Sequence, residues 1–103
     1  AQKKEAVLLH IGRSVTTETV QAIMRQMKLK FGTLKELLSL SIYDPSLQKK
    51  FPIVALGSVW RHWFGRRFVP YLWNFGSGIR ELSLRWDGLD WIDYDRFLCL
   101  RES

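Results

Sequence analysis

The chain has 103 residues, of which 47% are hydrophobic and 25% charged. That balance excludes a disordered tail and leaves room for one substantial core, so residues 1–103 are expected to form a single domain. Net charge is +6 and unevenly spread: residues 1–80 hold thirteen Lys or Arg against four acids, residues 81–103 three Arg against six acids. Basic character attracts polyanions through a salt-sensitive term that does not depend on their sequence.

In chain order, Glu5–Gly12 reads as a buried strand, because both alternating sets, Val7-Leu9-Ile11 and Ala6-Leu8-His10, are largely apolar. The stretch Ala6-Val7-Leu8-Leu9 is too short for a signal peptide and lies between Glu5 and His10. No run reaches the roughly 18 apolar residues that a membrane span needs. Cys99 is the single cysteine, which precludes an intramolecular disulfide and suits a reducing compartment. A cytoplasmic protein without a membrane span is expected.

A helix follows. Ser14, Thr16 and Thr17 offer N-cap oxygens, Val20, Ile23, Met24, Met27 and Phe31 form one apolar stripe, and Arg25, Gln26, Lys28 and Lys30 face away, with Gly32 placed to stop the helix. Thr33-Leu34-Lys35-Glu36 is a capping box opening a second helix with Leu34, Leu37 and Leu38 inward. Asp44-Pro45 predicts a third, short helix ending near Phe51 and carrying Lys49 and Lys50. Beyond Pro52, the residues Ile53, Leu56, Trp60, Trp63 and Phe64 share a face at helical spacing, with Ser58, Arg61, His62 and Gly65 opposite.

After Pro70 the period shortens. Asn74–Gly78 reads as a turn, Leu82-Leu84-Trp86 alternate as a half-buried strand requires, and Asp87-Gly88 is a hairpin signal leading to a return strand with Leu89, Trp91 and Asp93 on one face. Phe97–Leu100 reads as a last strand. The expected class is α+β: an N-terminal strand, three to four helices, then a C-terminal antiparallel hairpin or three-stranded meander. A winged helix fits that order, with the Lys49-Lys50 helix in the major groove. Against it, Leu40–Asp44 has no glycine, Pro52 shortens the recognition helix, and acids at 87, 90, 93 and 95 would repel phosphates from the wing.

The block Trp60-Arg61-His62-Trp63-Phe64-Gly65-Arg66-Arg67-Phe68 interleaves rings with cations, which suits single-stranded nucleic acid and would also suit an anionic membrane surface. Its rings share the apolar face of Ile53 and Leu56, so the core claims them first, and the arginines remain as the functional part. Expected phosphate contacts are Lys49, Lys50, Arg61, Arg66 and Arg67. Five tryptophans also suit a protein interface, where Trp and Arg are enriched. The alternative reading is an adaptor or homo-oligomer subunit that docks an acidic protein or a second copy through Trp73, Trp86 and Trp91.

The acids at 87, 90, 93 and 95 lack calcium-loop spacing, and no metal or cofactor is expected. His10, His62 and Cys99 sit in different elements without a catalytic signature, so an enzyme is not expected.

Overall fold

The computed structural model describes residues 4–44, 46–47, 50–61, 65–75 and 79–102. Along the chain come β1 (Lys4–His10), α1 (Thr17–Gln26), β2 (Lys30–Phe31), α2 (Leu34–Tyr43), β3 (Ile53–Val54), β4 (Trp60–Arg61), β5 (Arg67–Phe75), β6 (Ile79–Trp86) and β7 (Arg96–Glu102). Among the described residues there are thus two helices and one mixed sheet of seven strands, not three to four helices and a terminal hairpin. This arrangement also removes the winged helix. The described residues around Lys50 form turns where its recognition helix should be, and the chain after Asp87 makes no wing.

α1 begins where a cap oxygen was expected: the Thr19 N–H donates to Thr16 Oγ1 at 3.2 Å. It ends before Gly32, in a Schellman motif. The Leu29 N–H reaches the Met24 carbonyl, the Lys28 N–H reaches that of Arg25, and Lys28 takes the left-handed position at φ 57°. Leu29 and Met24 are both buried, which supplies the motif's apolar contact. The capping box of α2 forms as expected, with the Thr33 N–H donating to Glu36 Oε1 at 3.2 Å.

β7 lies inside the sheet, antiparallel to β1 on one side and parallel to β3 on the other. β5 runs antiparallel to β3, and β6 antiparallel to β5. Side chains alternate across this sheet into two cores. On the α1 face, Val20 and Met24 pack with Val54, Leu56, Val69, Trp91, Phe97 and Cys99. On the α2 face, Leu37 packs with Ile53, Ala55, Leu72 and Leu98. The sheet is the middle of three layers.

That sandwich explains why the expected helix over Ile53–Phe64 is absent. Ile53, Val54, Ala55 and Leu56 are each no more than 6% exposed. Four consecutive buried residues fit a strand covered on both faces, whereas a surface helix would turn one of them outward. Pro70, expected to end an element, instead lies within β5. Its carbonyl accepts from the Ala55 N–H just past the end of β3, so the missing proline donor falls where the ladder is interrupted.

The C-terminal hairpin is also replaced. Neither Asp87 nor Gly88 has positive φ, so the turn is not type I′, and β6 pairs back onto β5. The following segment crosses the α1 face, where Trp91 bridges to Val15. No helix among the described residues is long and apolar enough to cross a membrane.

Candidate nucleic-acid interface

The strand pairings divide the sheet into two ends. At one, β3 lies between β7 and β5 through Ile53↔Arg96 and Ile53↔Leu72. Towards the other, the neighbours of β7 and β5 part company. β2 takes over beside β7 (Phe31↔Cys99, Lys30↔Leu100), while β4 takes over beside β5 (Trp60↔Phe68, Arg61↔Arg67). The sheet forks there, with β2 and β4 as its prongs.

Two glycines make the junction. The Gly57 N–H donates to the Gly32 carbonyl at 2.7 Å. A Cβ on Gly57 would stand 2.6 Å from that oxygen, and a Cβ on Gly32 would stand 2.8 Å from the Leu98 carbonyl. Only residues without a side chain let the two backbones approach so closely.

The forked end collects exposed cations. On the β2 prong, Lys30 separates two depressions. One, of about 580 Å³, lies against α1 and has Arg25 and Gln21 on its wall; the other, of about 410 Å³, holds Lys28 and Arg101. Neither is lined by a carboxylate among the described residues. Arg101 also pairs loosely with Glu5 at 3.6 Å across the surface.

On the β4 prong, Trp60 is 45% exposed, contrary to the core position its helical spacing implied. Arg61 beside it and Arg66, just ahead of β5, are exposed. The Arg66 guanidinium carbon lies 4.6 Å over the Trp86 ring, a cation–π contact that leaves its N–H donors at the surface. Arg67 is committed elsewhere, its Nε 3.2 Å from the nearly buried Asp87 carboxylate.

No protein-family model, curated protein or solved structure matches the chain.

The other expected contacts are scattered. Lys50 is exposed but precedes β3, at the opposite end of the sheet from Arg61, Arg66 and Arg67. Lys49, His62, Trp63 and Phe64 lie outside the described residues. Of the three tryptophans expected at a protein interface, Trp91 is fully buried and Trp86 is half-buried beneath Arg66. Trp73 is half-buried and stacks on Tyr71 with centroids 6.3 Å apart.

The sequence places Arg25, Lys28 and Lys30 only on the solvated face of a helix. A signal was present: between Glu18 and Glu36 the chain carries Arg25, Lys28, Lys30 and Lys35 and no carboxylate. What periodicity could not supply was the pairing of Lys30 with Leu100, which brings Arg101 beside them.

The remaining chemical candidates do not converge. Burial pushes the Cys99 thiol up to about 11, and its S–H donates to the Phe97 carbonyl at 3.3 Å. Cys99 pairs with Val7 while His10 lies three residues further along β1, its Nε2 2.9 Å from the Asp93 carbonyl oxygen. Asp87 faces Arg67, whereas Asp95 accepts from the Ile92 N–H at 3.0 Å. Among the described residues no three His, Cys, Asp or Glu side chains gather as a metal site would need.

Proposed function

We propose that this protein is a small basic nucleic-acid-binding protein that grips phosphates with the forked end of its sheet. One observation carries the reading. The exposed ring of Trp60 stands with Arg61 and Arg66 on one prong, and Lys28, Lys30 and Arg101 cluster on the other. Exposed aromatic faces beside arginines suit nucleic acid, because the cations hold phosphates while the ring offers a stacking surface. Two of the acidic C-terminal residues are already engaged. Asp87 is taken up by Arg67, and Asp95 lies buried with Arg85 at 4.0 Å.

The reading is binding rather than catalysis; in its support, the buried Cys99 lies in an apolar strand away from His10, so the two do not form a nucleophile–base pair. A reducing cytoplasm suits an unpaired cysteine of this kind. The test is fluorescence anisotropy with mixed-sequence DNA and RNA. Binding at low salt should fall steeply as salt is raised and weaken further when Arg61 and Arg66 are both replaced by alanine. No binding to either polymer at low salt defeats the reading.

A second reading has its own support. β6 pairs only with β5 among the described residues, and its Leu82 and Leu84 are about half exposed. An open apolar edge of that kind favours self-association with a second copy. In this reading, Leu82 and Leu84 take the place of Trp73, Trp86 and Trp91. A strict monomer by sizing chromatography at high protein concentration rules it out.

A further inference from the structure

We infer that the depression between α1 and β2 receives one unpaired nucleotide, so that the fork selects single strands over duplex. This rests on the nucleic-acid reading above and narrows it to a substrate class. At about 580 Å³ the depression falls within the roughly 300–1,000 Å³ typical of small-ligand sites. Its lining is two-sided in chemistry. Arg25 and Lys30 supply positive charge, Leu29 and Phe31 supply apolar surface, and Gln21 supplies a polar group, while Thr33 on the same wall is held by Glu36. A nucleotide has the matching parts: an anionic phosphate, a flat apolar face and an edge of donors and acceptors.

The position relative to Arg61 strengthens the match. Gly57 borders the depression, and Arg61 follows it four positions along the chain, at most about 14 Å away. Arg61 pairs with Arg67 and so shares the α1 face with Val69, which lets one strand rest a phosphate on Arg61 and lodge a neighbouring nucleotide beside Phe31. A duplex has no free base to insert, because its bases are paired and stacked. Its phosphates still meet Arg61, Arg66, Lys28 and Arg101, so duplex binding persists as a weaker, salt-sensitive background.

The experiment uses the full chain and two fluorescent probes, an oligothymidylate of about a dozen nucleotides and a duplex of equal length. At moderate salt the single strand should bind about tenfold or more tightly. Gln21→Trp, which fills the depression from the half-buried side of α1, should bring single-strand affinity down to the duplex level. Duplex affinity should stay within about twofold. Arg25→Ala should weaken the single strand more than the duplex, and circular dichroism checks that both variants remain folded. Equal affinity for the two probes, or a folded Gln21→Trp protein that keeps its preference, overturns this inference and leaves the general nucleic-acid reading standing. Failure of both probes to bind at low salt overturns the two together.

Discussion

The indole N–H of Trp91 donates to the hydroxyl oxygen of Thr17 at 2.8 Å, and that hydroxyl donates in turn to the Asp87 carbonyl at 2.6 Å. Thr17 and Trp91 are buried, and they come from opposite ends of the chain, so this small network ties the start of α1 to the segment crossing its face. Thr17→Val keeps the shape and removes both bonds, leaving a buried indole N–H and a carbonyl without this partner. The expected loss is about 1–3 kcal/mol in urea unfolding. A loss below about 0.5 kcal/mol would show that the network contributes little.

Lys28 holds a left-handed backbone position that glycine occupies at lower energy, at φ 57° in the Schellman turn closing α1. It is also one of the cations of the forked end. Lys28→Gly should therefore raise stability by about 0.5–1 kcal/mol while weakening nucleic-acid binding and lowering its salt slope by about one. Thermal unfolding and a salt series of binding isotherms measure the two effects separately. A variant that gains stability and binds unchanged would remove Lys28 from the interface.

Burial raises the pKa of Asp95 above the ordinary carboxylate value of 3.8, against the opposing pull of the Ile92 N–H and Arg85. The folded state therefore holds this proton more tightly than the unfolded state. Its contribution is fully present below the unfolded pKa and is lost as pH rises through the folded one. The stability of the parent protein relative to Asp95→Asn should improve on acidification across that window. Denaturant unfolding at a series of pH values checks the sign, and a difference that moves the opposite way contradicts the burial account.

Cys99 should be inert in the native state. Its thiol is buried and raised to about 11, so little thiolate exists at neutral pH, and reagent access requires opening β7 from the middle of the sheet. Labelling by an aromatic disulfide reagent should be slow in buffer and fast in denaturant. Rapid labelling without denaturant would mean that β7 opens readily.

Local signals in the sequence carried the beginning of the fold well. The apolar alternation of Val7, Leu9 and Ile11 marks β1, Thr16 caps α1, and Thr33 with Glu36 opens α2. Each is decided within a few residues. The middle of the chain is decided at long range. Ile53, Leu56 and Trp60 satisfy a helical spacing, yet the layers above and below require a strand there, and Leu56 goes to the core while Trp60 goes to the surface. The same holds for the candidate site. Arg61 and Arg66 were visible as a cluster, but Arg67 is tied to Asp87 by a pairing twenty residues distant, and Lys50 falls at the wrong end of the sheet. Cations from three separate stretches of the chain, Lys28 with Lys30, Arg61 with Arg66, and Arg101, thus meet at one end of the sheet.

That convergence is the central claim, and two charge-reversed proteins test it most directly. One carries Arg61→Glu with Arg66→Glu at the fork; the other carries Arg13→Glu with Lys50→Glu, exposed residues away from the fork, and both have the same net charge. Binding of a labelled oligonucleotide is measured by anisotropy across a salt series. The fork variant should lose at least about tenfold more affinity than its counterpart and show the smaller salt slope. Equal losses in the two proteins would mean that net charge alone attracts the polymer and would contradict a forked binding site.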